Sequence, residues 1–146
     1  MEKINIKKLS EDAVIPTYAT ECSAGADLYA CINDVLKIMP GESKFINTGI
    51  AMEIPNGYAG FIYARSGLAS KKGLAPANKV AVIDSDYRGE IIVVLHNHSN
   101  EERYIEPGER IAQLVFAPFL QGEFNEVLEL SDTSRGNGGF GSTGSK

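Results

Sequence analysis

The 146-residue sequence has no tryptophan, only two cysteines and only two histidines. Cys22 and Cys31 fit neither a CxxC pair nor a zinc-ligand pattern, so we expect reduced thiols and no disulfide framework. His96 and His98 fall on one face of a predicted strand, but a zinc site needs three or four ligands and no other histidine is present. Without a histidine base for Ser66, the sequence disfavours a Ser-His-Asp hydrolase.

Basic residues are fewer than acidic ones: the sequence has 14 Lys and Arg and 19 Asp and Glu, which gives a net charge of −5. This balance argues against a nucleic-acid-binding or membrane-surface protein, because either would present a broad basic face. No apolar run approaches the length of a membrane span, and the charged first residues do not resemble a signal peptide. We therefore expect a single cytoplasmic domain with an ordinary 43% apolar content.

Long runs with a 3.6-residue period are absent too, and the apolar residues fall into short stretches bounded by Gly, Pro and Asn. This pattern predicts an all-β barrel or jelly roll. One short helix is predicted at about 67–72, with Ser66 as its N-cap and Gly73 closing it. The predicted strands cover 3–9, 26–30, 43–54, 58–64, 80–83, 90–96, 110–119 and 123–130.

The segment 131–146 is dominated by glycine and hydroxyl residues, with one arginine and one aromatic ring. The conformational entropy lost on ordering so much glycine exceeds the free energy gained by burying one Phe side chain. We therefore expect a β domain at 1–130 and a flexible arm at 131–146. Arg135 and Phe140 favour a lid, in which the arginine and glycine amides bind phosphates and the ring covers a base. A plain disordered tail is the alternative.

Residues 65–67, Arg-Ser-Gly, lie where a predicted strand gives way to the predicted helix. Unpaired amides at a helix start attract anions, Gly67 leaves room for close approach, and Arg65 offers a charged fork for phosphate oxygens. The alternative is a capped helix with a surface arginine.

Two carboxylates, Asp84 and Asp86, occur in the stretch AVIDSDYRGE at 81–90. An aspartate placed here could orient and deprotonate a water molecule, although a polar hairpin end is the alternative interpretation. Asp27 lies in an apolar setting and is uninformative alone. Gln113 is a polar side chain within an apolar strand, for which a structural hydrogen bond is the default.

Five short stretches occur in a fixed order along the chain: AGADL at 24–28, RSGLA at 65–69, VIDSDYRGE at 82–90, GERIAQLVF at 108–116 and RGNGGFGSTG at 135–144. Together they resemble the motifs of the homotrimeric dUTP pyrophosphatases, or dUTPases. The resemblance covers essentially the whole chain. It implies a distorted jelly roll of the β-clip type that hydrolyses dUTP to dUMP and pyrophosphate with Mg²⁺. Such an enzyme keeps uracil out of DNA and supplies dUMP for thymidylate synthesis.

The resemblance assigns a role to each matching position. Asp84 resembles the residue that activates the attacking water, and Tyr87 resembles the tyrosine that packs under the deoxyribose and excludes a 2′-hydroxyl. Asn78 matches the position that reads the uracil edge, helped by backbone groups that include those of Val82 and Ile83. The remaining matches are Arg65, Ser66, Gly67 and Gln113 around the phosphates, Arg135, Gly141, Ser142 and Thr143 on the terminal phosphate, Phe140 over the uracil, and Asp27 near Mg²⁺ through water or beside arginines.

Ala81 is the one visible departure, because the third motif of the family usually begins with glycine. The resemblance also implies a homotrimer whose sites are shared between chains. Two alternative functions are a dCTP deaminase of the same fold and a nucleotide-sensing protein that binds dUTP to engage a partner. Neither fits as well, since a deaminase needs a differently placed glutamate and sensors usually carry an inserted segment.

Overall fold

The computed structural model describes residues 3–139 and is built almost entirely from strands, as predicted. All of the strand pairs in this part of the chain are antiparallel. One short helix, α1, spans Ser66–Lys72. The strands are β1 Asn5–Lys8, β2 Thr17–Tyr18, β3 Ala26–Tyr29, β4 Leu36–Ile38, β5 Ser43–Asn47, β6 Ile50–Glu53, β7 Tyr58–Tyr63, β8 Leu74–Pro76, β9 Ala81–Ile83, β10 Ile92–Asn97, β11 Arg103–Ile105 and β12 Arg110–Pro118.

The largest sheet has the order β2-β3-β12-β7-β9, and a second sheet has the order β5-β10-β8. Two pairs, β1-β6 and β11-β4, complete the strand arrangement. In the large sheet β12 lies between β3 and β7, so residues from distant motifs become neighbours. Gln113, for example, pairs with Asp27 on one side and with Tyr63 on the other.

Side chains from both larger sheets and both strand pairs fill one continuous apolar core. Burial of such side chains is the main source of stability for a fold with so little helix. No helix within residues 3–139 is long and apolar enough to cross a membrane. The largest fully buried side chains are Leu28, Ile38, Ile46, Ile50, Ile62, Leu74, Ile91, Leu95, Ile105, Ile111, Leu114 and Val93.

The predicted continuous strand at 43–54 is interrupted, because β5 and β6 are separated by Thr48 and Gly49. Gly49 has a φ of 68°, in the left-handed region that favours glycine. A Cβ there would also lie 2.7 Å from both Ala13 Cβ and Cys31 Sγ. The break lets β5 and β6 join different sheets. The apolar pattern of the sequence alone does not reveal it.

The predicted helix is confirmed, but its predicted N-cap is wrong. Arg65 is the N-cap residue, with extended backbone and no capping side-chain hydrogen bond, and Ser66 is already helical. The Ser70 hydroxyl donates to the Ser66 carbonyl at 2.7 Å. At the other end Gly73 closes the helix with a φ of 67°, as predicted.

The strand predicted at 123–130 is absent from the described chain. Residues 119–130 leave the β domain after β12, and Phe124 and Leu128 are completely exposed, at 101% and 105%. A strand requires a hydrogen-bonding partner, and no segment within residues 3–139 pairs with this one. The predicted pattern of apolar residues is therefore present without the intramolecular pairing it would need.

Candidate functional site

Three of the five sequence motifs converge on one cleft of about 780 Å³. They come from the loop before β3, from the junction of β7 with α1, and from the middle of β12. The lining residues are Ala19, Ser23, Ala24, Gly25, Asp27, Tyr63, Ala64, Arg65, Ser66, Gly67, Lys79, Gln113 and Val115. We call this the phosphate cleft, for the ligand that its motif residues are expected to bind.

Asp27 lies at the base of this cleft and is only 7% exposed. Its Oδ1 accepts a hydrogen bond from Arg65 Nε at 2.7 Å, and its Oδ2 accepts one from Arg110 Nη1 at 3.2 Å. A buried carboxylate requires such partners, and these two guanidinium groups provide them. Asp27 therefore orients Arg65 at the start of α1.

Gln113 connects the two sides of the cleft. Its Nε2 donates to the Ala64 carbonyl at 2.8 Å, just before the helix, while its Oε1 lies against Gly25. A Cβ on Gly25 would overlap Gln113 Oε1, so the first motif needs glycine here to accommodate the glutamine. The expected structural hydrogen bond is present, and the side chain also lines the cleft.

Gly67 lines the same cleft, and its surroundings differ from those of Gly25. Apart from its chain neighbours and the backbone of its own helix, a Cβ at Gly67 would meet no atom within 4 Å among the described residues. The fold itself therefore does not require glycine at this position. The open space beside Gly67 is available to a ligand that approaches the backbone at the start of α1.

Asp84 and Tyr87 line a second cleft, of about 210 Å³, together with Val82, Ile83, Glu90 and Ile92. The Tyr87 hydroxyl donates to the Glu90 carbonyl at 3.0 Å. Gly89 allows this arrangement, because a Cβ on it would lie only 2.6 Å from Tyr87 Cζ. We call this the carboxylate cleft.

The two clefts are separated within one chain. Ile83 of β9 pairs with Gly60 of β7, so Asp84 follows opposite Ala59. Arg65 lies six residues further along the chain from Ala59, which corresponds to roughly 20 Å at the rise of an extended strand. The structure thus groups Asp27, Arg65, Ser66, Gly67 and Gln113 in one place, and Asp84 with Tyr87 in another.

The remaining predicted site residues are not brought to either cleft by the described chain. Asn78 lies exposed in the turn between β8 and β9, and Arg135 lies exposed beyond the end of β12. The four predicted arm residues Phe140, Gly141, Ser142 and Thr143 lie outside the described residues.

The donor atoms needed for a metal cage are lacking in the described part of the chain. No group of three or more His, Cys, Asp or Glu residues in residues 3–139 could hold an ion. Both Asp27 oxygens already bind arginines. This donor set fits a cation that arrives on phosphate oxygens and keeps its water ligands, and it does not fit a resident metal held directly by protein side chains.

The two histidines contact each other edge to face, with ring centroids 4.5 Å apart. The His96 Nδ1 forms a 2.9 Å hydrogen bond with the Ser43 hydroxyl. Desolvation lowers the pKa of His98, and the neighbouring charges of His96 and Lys79 lower it further. No third metal ligand joins this pair in the described chain.

Sequence reasoning missed several residues that build the two clefts. Arg110 is the first residue of β12, just after the turn at Pro107 and Gly108, and the sequence does not distinguish it from the other surface arginines. Glu90 anchors the carboxylate cleft by accepting hydrogen bonds from Asn47 Nδ2 at 2.7 Å and from the Gly49 amide at 2.8 Å. Both contacts join residues more than 40 positions apart, so no local sequence signal could have identified them.

Comparison with known proteins places this architecture in one family. The dUTPase family model matches residues 11–144, and the chain belongs to the dUTPase family. Two curated relatives are named deoxyuridine 5′-triphosphate nucleotidohydrolase. The one from Hydrogenobaculum sp. is 54% identical, over 99% of both chains. The one from Nautilia profundicola is 58% identical, over 97% of this chain and 99% of the relative.

Solved structures give the same result at the level of the fold. A dUTPase of Staphylococcus bacteriophage 80alpha, solved with dUPNHPP, superimposes with a TM-score of 0.90 at 31% identity, covering 99% of each chain. A mutant dUTPase of the S. aureus phage phi11 superimposes with a TM-score of 0.79 at 26% identity, over 88% of this chain and 98% of the phage chain. That protein is described as coordinating a structural Mg(II) ion. The predicted jelly-roll-like fold is confirmed by these neighbours.

Proposed function

We propose that this chain hydrolyses dUTP to dUMP and pyrophosphate, as a dUTP diphosphatase. The observation that carries this proposal is the convergence of three dUTPase motifs on the phosphate cleft, with Asp27 fixing Arg65 at 2.7 Å and Gln113 spanning its two sides. Membership of the dUTPase family supports it. The match to the dUTPase family favours dUTP hydrolysis over the deamination of dCTP.

In the proposed complex the triphosphate lies in the phosphate cleft. Arg65 offers a charged fork to its oxygens, and Ser66 and Gln113 offer neutral hydrogen-bonding groups. The open space at Gly67 lets a phosphate come close to the backbone. Because Asp27 holds the Arg65 guanidinium in place, little side-chain freedom is lost when the nucleotide binds.

Asp84 is proposed to orient a water molecule for in-line attack on the α-phosphorus and to accept its proton. The P–O bond to the β-phosphate breaks, so that the water oxygen enters dUMP and pyrophosphate leaves. The carboxylate is exposed beside Tyr87, where water can reach it.

Tyr87 is proposed to pack under the deoxyribose, where its ring leaves no room for a 2′-hydroxyl. Asn78 and the backbone of Val82 and Ile83 are proposed to read the uracil edge. Thymine would clash through its 5-methyl group in a tight pocket, and cytosine would present a donor where uracil presents an acceptor.

The proposed cofactor is Mg²⁺ bound to the triphosphate. When bound it offsets the negative charge that develops on the phosphates. Asp27 is the carboxylate placed to accept hydrogen bonds from the water ligands of the ion, although its oxygens are shared with Arg65 and Arg110. This indirect role suits a cation that keeps several waters.

The proposed assembly is a homotrimer in which the phosphate cleft of one chain faces the carboxylate cleft of another. The roughly 20 Å between Arg65 and Asp84 within one chain supports shared sites. So does the segment 119–130, which exposes Phe124 and Leu128 completely and carries a strand pattern without an intramolecular partner. A neighbouring copy can bury these side chains.

The arm at 131–146 is proposed to close over a bound nucleotide. Arg135, Gly141, Ser142 and Thr143 would bind the terminal phosphate, and Phe140 would stack on the uracil. Arg135 lies 17 residues beyond Pro118, so a fully extended connection would reach almost 60 Å and could span to another chain. We propose that the protein acts in the cytoplasm, keeping uracil out of DNA and supplying dUMP for thymidylate synthesis.

The proposal is tested by pyrophosphate release from dUTP, with dCTP, dTTP and UTP beside it, in the presence and absence of Mg²⁺. Selective, Mg²⁺-dependent turnover of dUTP that is lost in Asp84→Asn is the expected result. Ammonia release from dCTP would indicate the deaminase instead. Tight dUTP binding without turnover would indicate a nucleotide sensor.

A further inference from the structure

We infer that Lys79 is an additional phosphate-binding residue of the phosphate cleft. This inference rests on the proposed function and adds to it a residue that lies outside all five sequence motifs. Lys79 lies in the turn between β8 and β9 and lines the same cleft as Arg65, Ser66 and Gly67.

The backbone of Lys79 adopts an unusual conformation. With a φ of 64°, it is the one residue other than glycine with a left-handed backbone in the described part of the chain. Its amide donates to the Pro76 carbonyl at 3.0 Å, and the Val80 amide donates to the Asn78 carbonyl at 2.7 Å. Glycine or asparagine suits such a position better than a long side chain does. A lysine in this disfavoured conformation points to a use for its side chain.

Charge balance in the cleft indicates what that use is. Asp27, Arg65 and Lys79 are the charged side chains that line the cleft, and Asp27 is paired with Arg65. Lys79 takes part in no ion pair with another residue of the described range 3–139. Among the positive side chains of the cleft lining, Lys79 is therefore the one without a carboxylate partner in residues 3–139.

This uncompensated charge has a particular effect in a protein whose net charge is −5. A polyanionic ligand approaching the chain is repelled overall and needs a local positive potential at the entrance to its site. Lys79 is exposed, so it can reach phosphate oxygens with little loss of hydration. We therefore assign it to the capture and binding of the phosphates, and not to the chemical step.

The test compares three variants of Lys79 with a matched control. Lys79→Met and Lys79→Asn remove the charge, and asparagine also suits the left-handed backbone, so that this variant keeps the turn. Lys79→Arg keeps the charge. Lys71→Met removes a nearby exposed lysine on α1 that does not line the cleft.

The measured quantities are KM and kcat for dUTP, the inhibition constant of pyrophosphate, and the dependence of kcat/KM on ionic strength. In both neutral variants we expect KM and the pyrophosphate constant to rise about three- to tenfold while kcat stays unchanged, as for loss of one exposed charge contact. The salt dependence should become weaker. Lys79→Arg and Lys71→Met should behave like the parent protein.

Neutral variants that stay within twofold of an active parent in KM and in pyrophosphate affinity would overturn the inference, and so would a fall in kcat alone. If the lysine is needed only for the turn, Lys79→Asn should keep the KM and the pyrophosphate affinity of the parent protein. If the parent does not hydrolyse dUTP, the proposed function fails, and the pyrophosphate affinities of the same variants still decide the role of Lys79.

Discussion

Arg65 Nε donates a hydrogen bond to Asp27 Oδ1 at 2.7 Å, joining residues that are 38 positions apart in the sequence. The contact ties the first motif to the second, and the bond from Arg110 Nη1 to Asp27 Oδ2 adds the fourth. One buried carboxylate thus organises the cationic side of the phosphate cleft.

Replacement of Asp27 by asparagine should lower both stability and activity. The neutral amide cannot balance the two guanidinium groups, which would then repel each other at this partly buried site. We expect the free energy of unfolding to fall by about 1–3 kcal/mol, as for loss of hydrogen bonds to charged groups. Urea unfolding at a fixed chain concentration measures this change. Asp12→Asn, at an exposed position, is the control, and equal stability of the two variants would contradict the assignment.

Gly67→Ala should fold normally and yet bind substrate poorly. Apart from its chain neighbours and its own helix backbone, a methyl group there meets no described protein atom within 4 Å, but it fills the space proposed for a phosphate. We expect KM for dUTP to rise about tenfold with the melting temperature unchanged. Gly122→Ala, which also meets nothing within 4 Å, is a matched control outside the cleft. Parent-like kinetics in Gly67→Ala would remove this position from the phosphate site.

Not every feature of these clefts was accessible from the sequence. The sequence predicted β3, β7 and β12 from short runs of apolar, β-branched and aromatic residues bounded by turn residues, a pattern typical of strands. The break at Gly49 and the cap at Arg65 depend on local backbone geometry that apolar spacing does not encode. The pairing of Asp27 with Arg110 depends on strand order, which is a long-range property of the whole chain.

The incorrect strand at 123–130 has a different origin. Its sequence has the composition of a strand, but pairing requires a partner, and none is offered within residues 3–139. The prediction took the composition of a strand as evidence of strand pairing within the chain. The distance between Asp84 and Arg65 depends on the register of β7 with β9, which the sequence does not give, although the family resemblance implied sites shared between chains.

Exposed apolar residues of the segment 119–130 should be required for self-association. We expect the double variant Phe124→Ser and Leu128→Ser to shift the protein from trimer towards monomer in sedimentation experiments, because both side chains are completely exposed in one chain. Val35→Ser removes another exposed apolar side chain, 57% exposed, that lies far from this segment in sequence and should leave the association unchanged. A trimer that survives the double variant would contradict the proposed role of the segment.

Tyr87→Ala should relax discrimination against ribose. Without the ring, the carboxylate cleft gains room for a 2′-hydroxyl, and the ratio of kcat/KM for UTP to that for dUTP should rise. Tyr87→Phe retains the ring and loses only the hydrogen bond to the Glu90 carbonyl, so it should discriminate like the parent protein. An unchanged ratio in Tyr87→Ala would show that another group excludes UTP.

Phe140→Ala should weaken nucleotide binding by roughly 1–3 kcal/mol, the range for an aromatic ring stacked on a base. Equilibrium titration with a non-hydrolysable dUTP analogue measures the loss directly. Unchanged affinity and unchanged kcat and KM would remove Phe140 from the site.

The most direct test of the shared-site account mixes two inactive proteins, Asp84→Asn and a chain that ends at Ser134. After the subunits are dissociated and reassembled together, some sites should combine an intact Asp84 from one chain with an intact arm from another. The account predicts that dUTP hydrolysis reappears in the mixture, and not in a mixture of Asp84→Asn with Asp84→Ala. No recovery in trimers that demonstrably contain both chains would contradict it and would place the complete site within one chain.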